Sequence, residues 1–357
     1  MKRFLQLLIP VLGLTLATDV GAEISTPPRL DRSNLLQYRS AEGHAAQGRT
    51  RLAWKKRRTE ILRGMEEVMG KLPGSEKQCA LDVTVESETD CGDYVLRSIS
   101  YASEPGNRVP AYVMLPKAAL NKRTRLPAVL ALHPTELTLG PKTVAGLGGK
   151  ANRDYGRELA RRGYVVLAPA YPFMGGYRPD LDALGYRSTT MKAIWDNVRG
   201  MDLLESLPQV KRGRIGAIGH SLGGHNAMFT AVFDPRIQVI VSSCGFDSFL
   251  DYKDGNIEGW ASKFYMPGLQ RYPLEKIPFD FHEVVGALAP RPFFVNAPTG
   301  DSNFKWRSVD AVLAAARPVY CLYGKQAGVR VAHPDCGHDF PPEVRELAYR
   351  LMDETLK

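Results

Sequence analysis

Near the middle of the chain, Gly219-His220-Ser221-Leu222-Gly223-Gly224 follows the apolar run Ile215-Gly216-Ala217-Ile218 and runs into an apolar, Ala-containing stretch. A serine in a G-x-S-x-G pattern carries chemistry when a strand enters the turn and a helix leaves it. The tight turn then lifts the hydroxyl above the strand end, and the flanking glycines avoid Cβ collisions with neighbouring backbone. The helix that follows aims N–H groups and the positive end of its dipole at any developing anion. Period and composition predict a strand over 214–218 and a helix over 222–233, so the context is present. The chemistry is acyl transfer with Ser221 as nucleophile. A Gly-rich turn holding an incidental serine would lack those flanks.

A serine hydroxyl is a poor nucleophile until a base takes its proton. On such an elbow the acid and the histidine come later in the chain, in that order. Among seven histidines, His44 and His133 precede the elbow, His220 lies inside it facing elsewhere, and His225 belongs to the next helix, packed against the sheet. His282, His333 and His338 remain. His338 stands in Pro334-Asp335-Cys336-Gly337-His338-Asp339-Phe340, a Gly-bearing loop between a strand at 329–331 and the terminal helix, and is the base. His333 reads as structural, and His282 as part of an irregular segment. Asp301 follows an apolar strand at 292–295 and is the acid that holds the imidazole tautomer, with Asp247 the runner-up. Asp310 reads as helix surface, while Asp335 and Asp339 are too near His338 in sequence to aim at it. The oxyanion needs backbone donors: the N–H of Leu222 and, because Pro134 has none, that of Thr135, with Glu136 behind it. His133 shapes that loop. Tyr171, Phe173 and Arg178 sit on a loop leaving another strand's carboxyl end, where open α/β sheets form crevices. The aromatics suit a sugar or aryl ring and the arginine an anion; packing of the rim is an equal alternative.

These side chains need elements to hold them. Apolar residues at helical spacing predict a helix over Arg51–Met69, ended by Leu72-Pro73-Gly74. Alternating stretches at 80–85, 94–101 and 109–115 predict an antiparallel start. Fully apolar runs at 127–132, 164–168, 214–218, 239–242 and 292–295 then alternate with helices at 154–162, 191–207, 222–233 and 308–316, and a last helix covers 342–356. That rhythm means an α/β fold with a mostly parallel central sheet and helices on both faces. Residues 246–281 break it, being rich in Gly, Pro, Tyr and Asp, and are expected to form a lid or substrate wall. We divide the chain into a helical preamble at 23–76 and a catalytic domain at 77–357.

Residues 1–22 read as a cleaved export signal: Met1-Lys2-Arg3, an apolar stretch from Phe4 to Ala17, and small residues before a cut after Ala22. The apolar stretch is short for a membrane span, so the mature protein is expected to be secreted or periplasmic. Cys79, Cys91, Cys244, Cys321 and Cys336 are an odd set with no zinc spacing. Cys79 with Cys91 and Cys321 with Cys336 are open as pairs, and buried small side chains are the plainer reading. The net charge is +9, with basic runs at Lys55-Lys56-Arg57-Arg58 and Lys122-Arg123. These read as solvated faces more readily than as a site for an acidic polymer. No nucleic-acid signature accompanies them.

The elbow at 219–224, the strand leading to Asp301 and the ending Gly337-His338-Asp339-Phe340-Pro341-Pro342-Glu343 resemble the α/β-hydrolase superfamily. They are most similar to its dienelactone-hydrolase and acetyl-xylan-esterase-like branch of secreted bacterial proteins. Met191-Lys192-Ala193-Ile194-Trp195-Asp196-Asn197 and residues 280–292 fit that branch as well, and the resemblance spans 77–357. It implies the α/β-hydrolase fold, a triad of Ser221, Asp301 and His338, and ester hydrolysis through an acyl-enzyme with no cofactor or metal. Small-molecule or carbohydrate esters are the expected partners. Dienelactone hydrolases proper use a cysteine nucleophile, so Ser221 argues against that activity. A serine peptidase of the prolyl-oligopeptidase type is disfavoured because no propeller-like β region precedes the domain. A secreted, non-catalytic binding protein on a hydrolase scaffold is disfavoured because all three triad residue types are present.

Overall fold

The computed structural model describes residues 29–121 and 124–357. The expected export signal at 1–22 and the Lys122-Arg123 pair lie outside the described residues.

A small hairpin of β1 (Gln37–Arg39) and β2 (Ala45–Gln47) leads into α1 (Arg51–Met69). Thr50 starts this helix, its side chain accepting the Ala53 N–H, and the helix buries Trp54, Ile61, Met65 and Val68 on one face. The remaining order is β3 (Thr84–Asp90), β4 (Tyr94–Glu104), β5 (Asn107–Pro116), β6 (Leu126–Leu132), α2 (Tyr155–Arg161), β7 (Val165–Pro169), α3 (Thr189–Ser206), β8 (Val210–His220) and α4 (Leu222–Phe233). After these come β9 (Ile237–Ser243), α5 (Phe281–Leu288), β10 (Phe293–Asn296), α6 (Trp306–Leu322), β11 (Val329–Ala332) and α7 (Pro342–Leu356).

Among the described residues nine strands form one sheet in the order β11-β10-β9-β8-β6-β7-β5-β4-β3. Pairing is parallel from β11 through β7 and antiparallel from β7 to β3. Two apolar layers follow from helices covering both faces. One gathers α1, α3, α4, α5 and α6, the other α2 and α7. The inner parallel strands β6 and β7 are apolar and buried because both faces are covered, whereas the edge strand β11 carries Arg330 and is exposed in part.

Among the boundaries that depart from the sequence expectation, three are informative. The first strand runs over Thr84–Asp90 rather than 80–85; every residue in it is exposed, so no apolar face marks it, and Asp82 breaks the chain before it at φ 40°. Helix α3 starts at Thr189 because Ser188 caps it by accepting the Met191 N–H. Helix α6 continues to Leu322 with Pro318 inside it, six residues past the expected end at 316.

The basic run on α1 is also not a plain solvated face. Lys55 and Lys56 are exposed, but Arg57 donates to Glu283 at 2.9 Å and Arg58 donates to the carbonyls of Val232 and Ala287. Glu283 is fully buried and is met by Arg29 as well, so these arginines pin the N-terminal segment to α5. The cysteine expectations need correction too. All five are unbridged; only Cys244 is buried, and Cys321 is exposed.

Candidate active site

Strand β8 passes its last pair with β9 at His220↔Ser243, and the Ser221 N–H donates to the Ser243 carbonyl at 2.7 Å. Ser221 is held at φ 56°, ψ −120°, a conformation that a residue with a Cβ seldom adopts. The glycines of the motif are steric necessities. A Cβ on Gly219 would lie 2.2 Å from Gly223 backbone, and one on Gly223 would lie 2.0 Å from the Leu132 carbonyl oxygen. This close approach sets the loop after β6 against the start of α4. Leu222, as the first residue of α4, carries an N–H that its own helix cannot accept. Thr135 lines the same cavity as Ser221 and Leu222.

His133 organises that loop. Its Nδ1–H donates to the Pro134 carbonyl at 2.7 Å, so Nε2 accepts the Tyr171 N–H at 2.9 Å. Burial lowers its pKa to about 4, which keeps it neutral.

His338 Nδ1 lies 3.0 and 2.9 Å from the two oxygens of Asp301. With Nδ1–H donating there, the neutral ring keeps the Nε2 lone pair free to take a proton. The Asp301 side chain is 1% exposed and that of His338 28%. Burial alone would raise the carboxyl pKa, yet the hydrogen bond and charge of His338, with the Asn303 and Phe304 N–H groups, hold it below the ordinary range. The two loops are laced together, since the Gly300 N–H donates to the Cys336 carbonyl at 3.0 Å. Arg153 donates to the His338 carbonyl at 3.1 Å and to Asp339 at 2.5 Å. His220, expected to face elsewhere, places its ring 4.8 Å from that of His338, which brings the loop carrying His338 beside the elbow.

Residues 109–254 match the model of the Dienelactone hydrolase family. YtaP of Bacillus subtilis (strain 168) is 27% identical over 260 residues, 70% of this chain and 84% of that protein. A 4-O-methyl-glucuronoyl methylesterase of Phanerochaete carnosa is 25% identical over 203 residues, 49% of each chain. The structure is similar to that of a glucuronoyl esterase from Solibacter usitatus, with a TM-score of 0.72 at 20% identity, covering 91% of this chain and 98% of that one. The chain has the α/β-hydrolase fold.

The runner-up acid of the sequence reading, Asp247, is fully buried. One of its oxygens accepts the Lys305 N–H at 3.0 Å while the other has no partner among the described residues. Desolvation raises its pKa to about 7. His333 is held by the Ala297 carbonyl and Asp310, and His282 falls on the first turn of α5 beside Asp280.

Residues 246–281 form a packed wall, not a loose flap. Phe249, Trp260, Met266 and Phe279 are buried in it. Together with Ser221, its residues Tyr252, Trp260 and Tyr265 line a cavity of about 230 Å³. His225, expected to pack against the sheet, lines this cavity instead. A second cavity of about 600 Å³ is lined by Lys263 and Phe264, whereas the neighbouring Tyr265 lines the first. Phe173 and Arg178 line the larger cavity. Tyr171 does not fit a substrate-binding role: its ring is buried and its hydroxyl donates to the Phe264 carbonyl at 2.9 Å. It packs the rim.

Among the described residues, His220, Cys244 and His338 bring possible metal-ligand atoms within 4.8 Å of one another. Burial pushes the Cys244 thiol up, away from the thiolate that binds metals. His338 already holds Asp301. Sequence reasoning missed that Arg153, His225 and Tyr265 stand at this site, because contacts distant in the chain place each of them there. The one available signal was the position of His225 one helical turn past Ser221.

Proposed function

We propose that this protein is a serine-dependent carboxylic ester hydrolase that acts on carbohydrate esters through an acyl-enzyme. The observation that carries the reading is the pairing of His338 Nδ1 with both Asp301 oxygens, on a loop beside a strained Ser221 that opens into a cavity. Ser221 Oγ attacks the acyl carbon while His338 Nε2 takes its proton. The oxyanion that develops faces the N–H groups of Leu222 and Thr135, donors that in such sites contribute about 3–4 kcal/mol each. His338 returns the proton to the departing alcohol, then takes one from the water that releases the acid.

The carbohydrate part of the reading is supported by the glucuronoyl esterases among its relatives and structural neighbours and by aromatic side chains around the cavity. Phe173 and Arg178, on the larger cavity, form an outer contact for a polymeric substrate. Export after residue 22 belongs to the same reading; among the described residues no helix is long and apolar enough to cross a membrane. So does the division into a preamble and a catalytic domain from residue 77.

A fluorophosphonate probe tests the core of it. The wild type should be labelled and should hydrolyse p-nitrophenyl acetate, and Ser221→Ala should lose both. An unlabelled, folded wild type would rule the reading out. Acetylated xylan and methyl esters of glucuronic acid then sort the substrate.

A further inference from the structure

His225 stands on α4 one helical turn past Ser221 and is buried. Its ring packs against Phe229, Trp260 and Tyr265 with centroids 5.7, 4.8 and 5.4 Å away. Neither ring nitrogen has a hydrogen-bond partner among the described residues. Burial lowers its pKa to about 3, outweighing the Ser221 backbone, which favours the charged ring. The ring is therefore neutral at physiological pH, with one N–H to donate and one lone pair to accept.

Buried polar atoms in native proteins are nearly always paired. A histidine kept only to fill space would be worse than an apolar side chain of similar shape, because its nitrogens are desolvated without return. His225, however, is not sealed in the interior. It lines the cavity of about 230 Å³ that contains Ser221 and Thr135. The Trp260 indole N–H, from the same lining, has no partner either. Among the described residues, none that lines this cavity carries a formal charge at neutral pH. Its volume lies below the usual range for drug-sized ligands, so it suits one ring. Tyr252, Trp260, Tyr265 and Phe304 supply aromatic walls, which match the apolar faces of a sugar.

We infer that this cavity holds a single neutral, hydroxyl-bearing ring attached to the scissile ester, and that His225 determines specificity by exchanging hydrogen bonds with one of the ring hydroxyls. The inference rests on the esterase reading above. The ring belongs either to the acyl part, as in a uronic acid ester, or to the alcohol part, as in an O-acetylated sugar. Both present the same hydroxyl chemistry to His225.

Two matched substrate pairs decide the matter. Methyl glucuronate is compared with methyl cyclohexanecarboxylate, and an O-acetylated methyl xyloside with cyclohexyl acetate, each kcat/KM divided by the alkaline hydrolysis rate. The wild type should prefer the hydroxylated member of one pair by about 10-fold or more, and which pair shows it tells acyl from alcohol. His225→Phe should reduce that ratio by about 10- to 100-fold, and His225→Gln, which keeps a donor and an acceptor, should retain most of it. His225→Met serves if the phenylalanine variant does not fold. An active wild type blind to ring hydroxyls in both pairs overturns this inference alone. So does an apolar variant that lowers both members of the preferred pair by one factor, or that leaves their ratio unchanged. A wild type inert to fluorophosphonate and to every ester removes the esterase reading, and this inference with it.

Discussion

Two buried carboxylates reach the same stretch of chain. Asp301 accepts the Asn303 and Phe304 N–H groups, and Asp247 accepts that of Lys305. What separates them is the imidazole. Asp301 holds His338 and is stabilised as a carboxylate, whereas Asp247 has one oxygen unpartnered and is pushed by burial to about 7. Asp301→Asn should lower kcat/KM by about 10²- to 10⁴-fold through loss of the imidazole's tautomer, and Asp247→Asn by less than about 10-fold. A larger effect at Asp247 would move the acid there. The two also differ in how they couple to stability. Asp301, with its folded pKa lowered, contributes above the ordinary carboxylate range, and that contribution is lost as pH falls through the folded value. Asp247, raised from 3.8 to about 7, contributes below the ordinary range and loses that contribution as pH rises through 7. Replacing it with asparagine should remove a pH-dependent loss on the order of 4 kcal/mol, seen as a flatter dependence of urea unfolding on pH between 4 and 8.

At the scale of elements, α1 and α5 depend on each other. Glu283 closes the capping box of α5 with Asp280 and also receives Arg29 and Arg57 from the N-terminal segment. Burial alone would raise its pKa, and the two arginines more than offset this, so it stays ionised. Arg57→Ala leaves Glu283 buried with one cation where it had two, and should cost about 2–4 kcal/mol in urea unfolding. A cost within experimental error would mean that Arg29 suffices. The alternation and periodicity in the sequence located α1, α4 and α7 at their observed bounds. The outermost strand, Thr84–Asp90, was displaced because an edge strand with no buried face leaves no apolar signal. The end of α6 was missed because Pro318 ordinarily marks a stop and here lies inside the helix.

For the whole molecule, the segment before residue 77 is part of the core. Trp54, Ile61, Met65, Val68 and Met69 are all buried in the same apolar layer as α4 and α5. Removing five such side chains forfeits roughly 10 kcal/mol of burial, as much as the net stability of a typical domain. A chain beginning at residue 77 should therefore express as insoluble or non-cooperatively melting protein. Recovery of a soluble, cooperative and active fragment would show instead that residues 77–357 fold alone.

The sequence by itself determined the alternation of strands and helices, the strand–turn–helix context of Ser221 and the choice of His338 and Asp301 as its partners for testing. These follow from local rules of periodicity, turn sterics and chain order, which act over a few residues. Only the tertiary structure decided what surrounds them. Whether Tyr171 faces a ligand or the rim, whether Arg57 meets solvent or Glu283, and whether His225 packs on the sheet or opens into the cavity all depend on residues tens to hundreds of positions away. No local pattern encodes such contacts, because burial is a property of the packed layers and not of the segment.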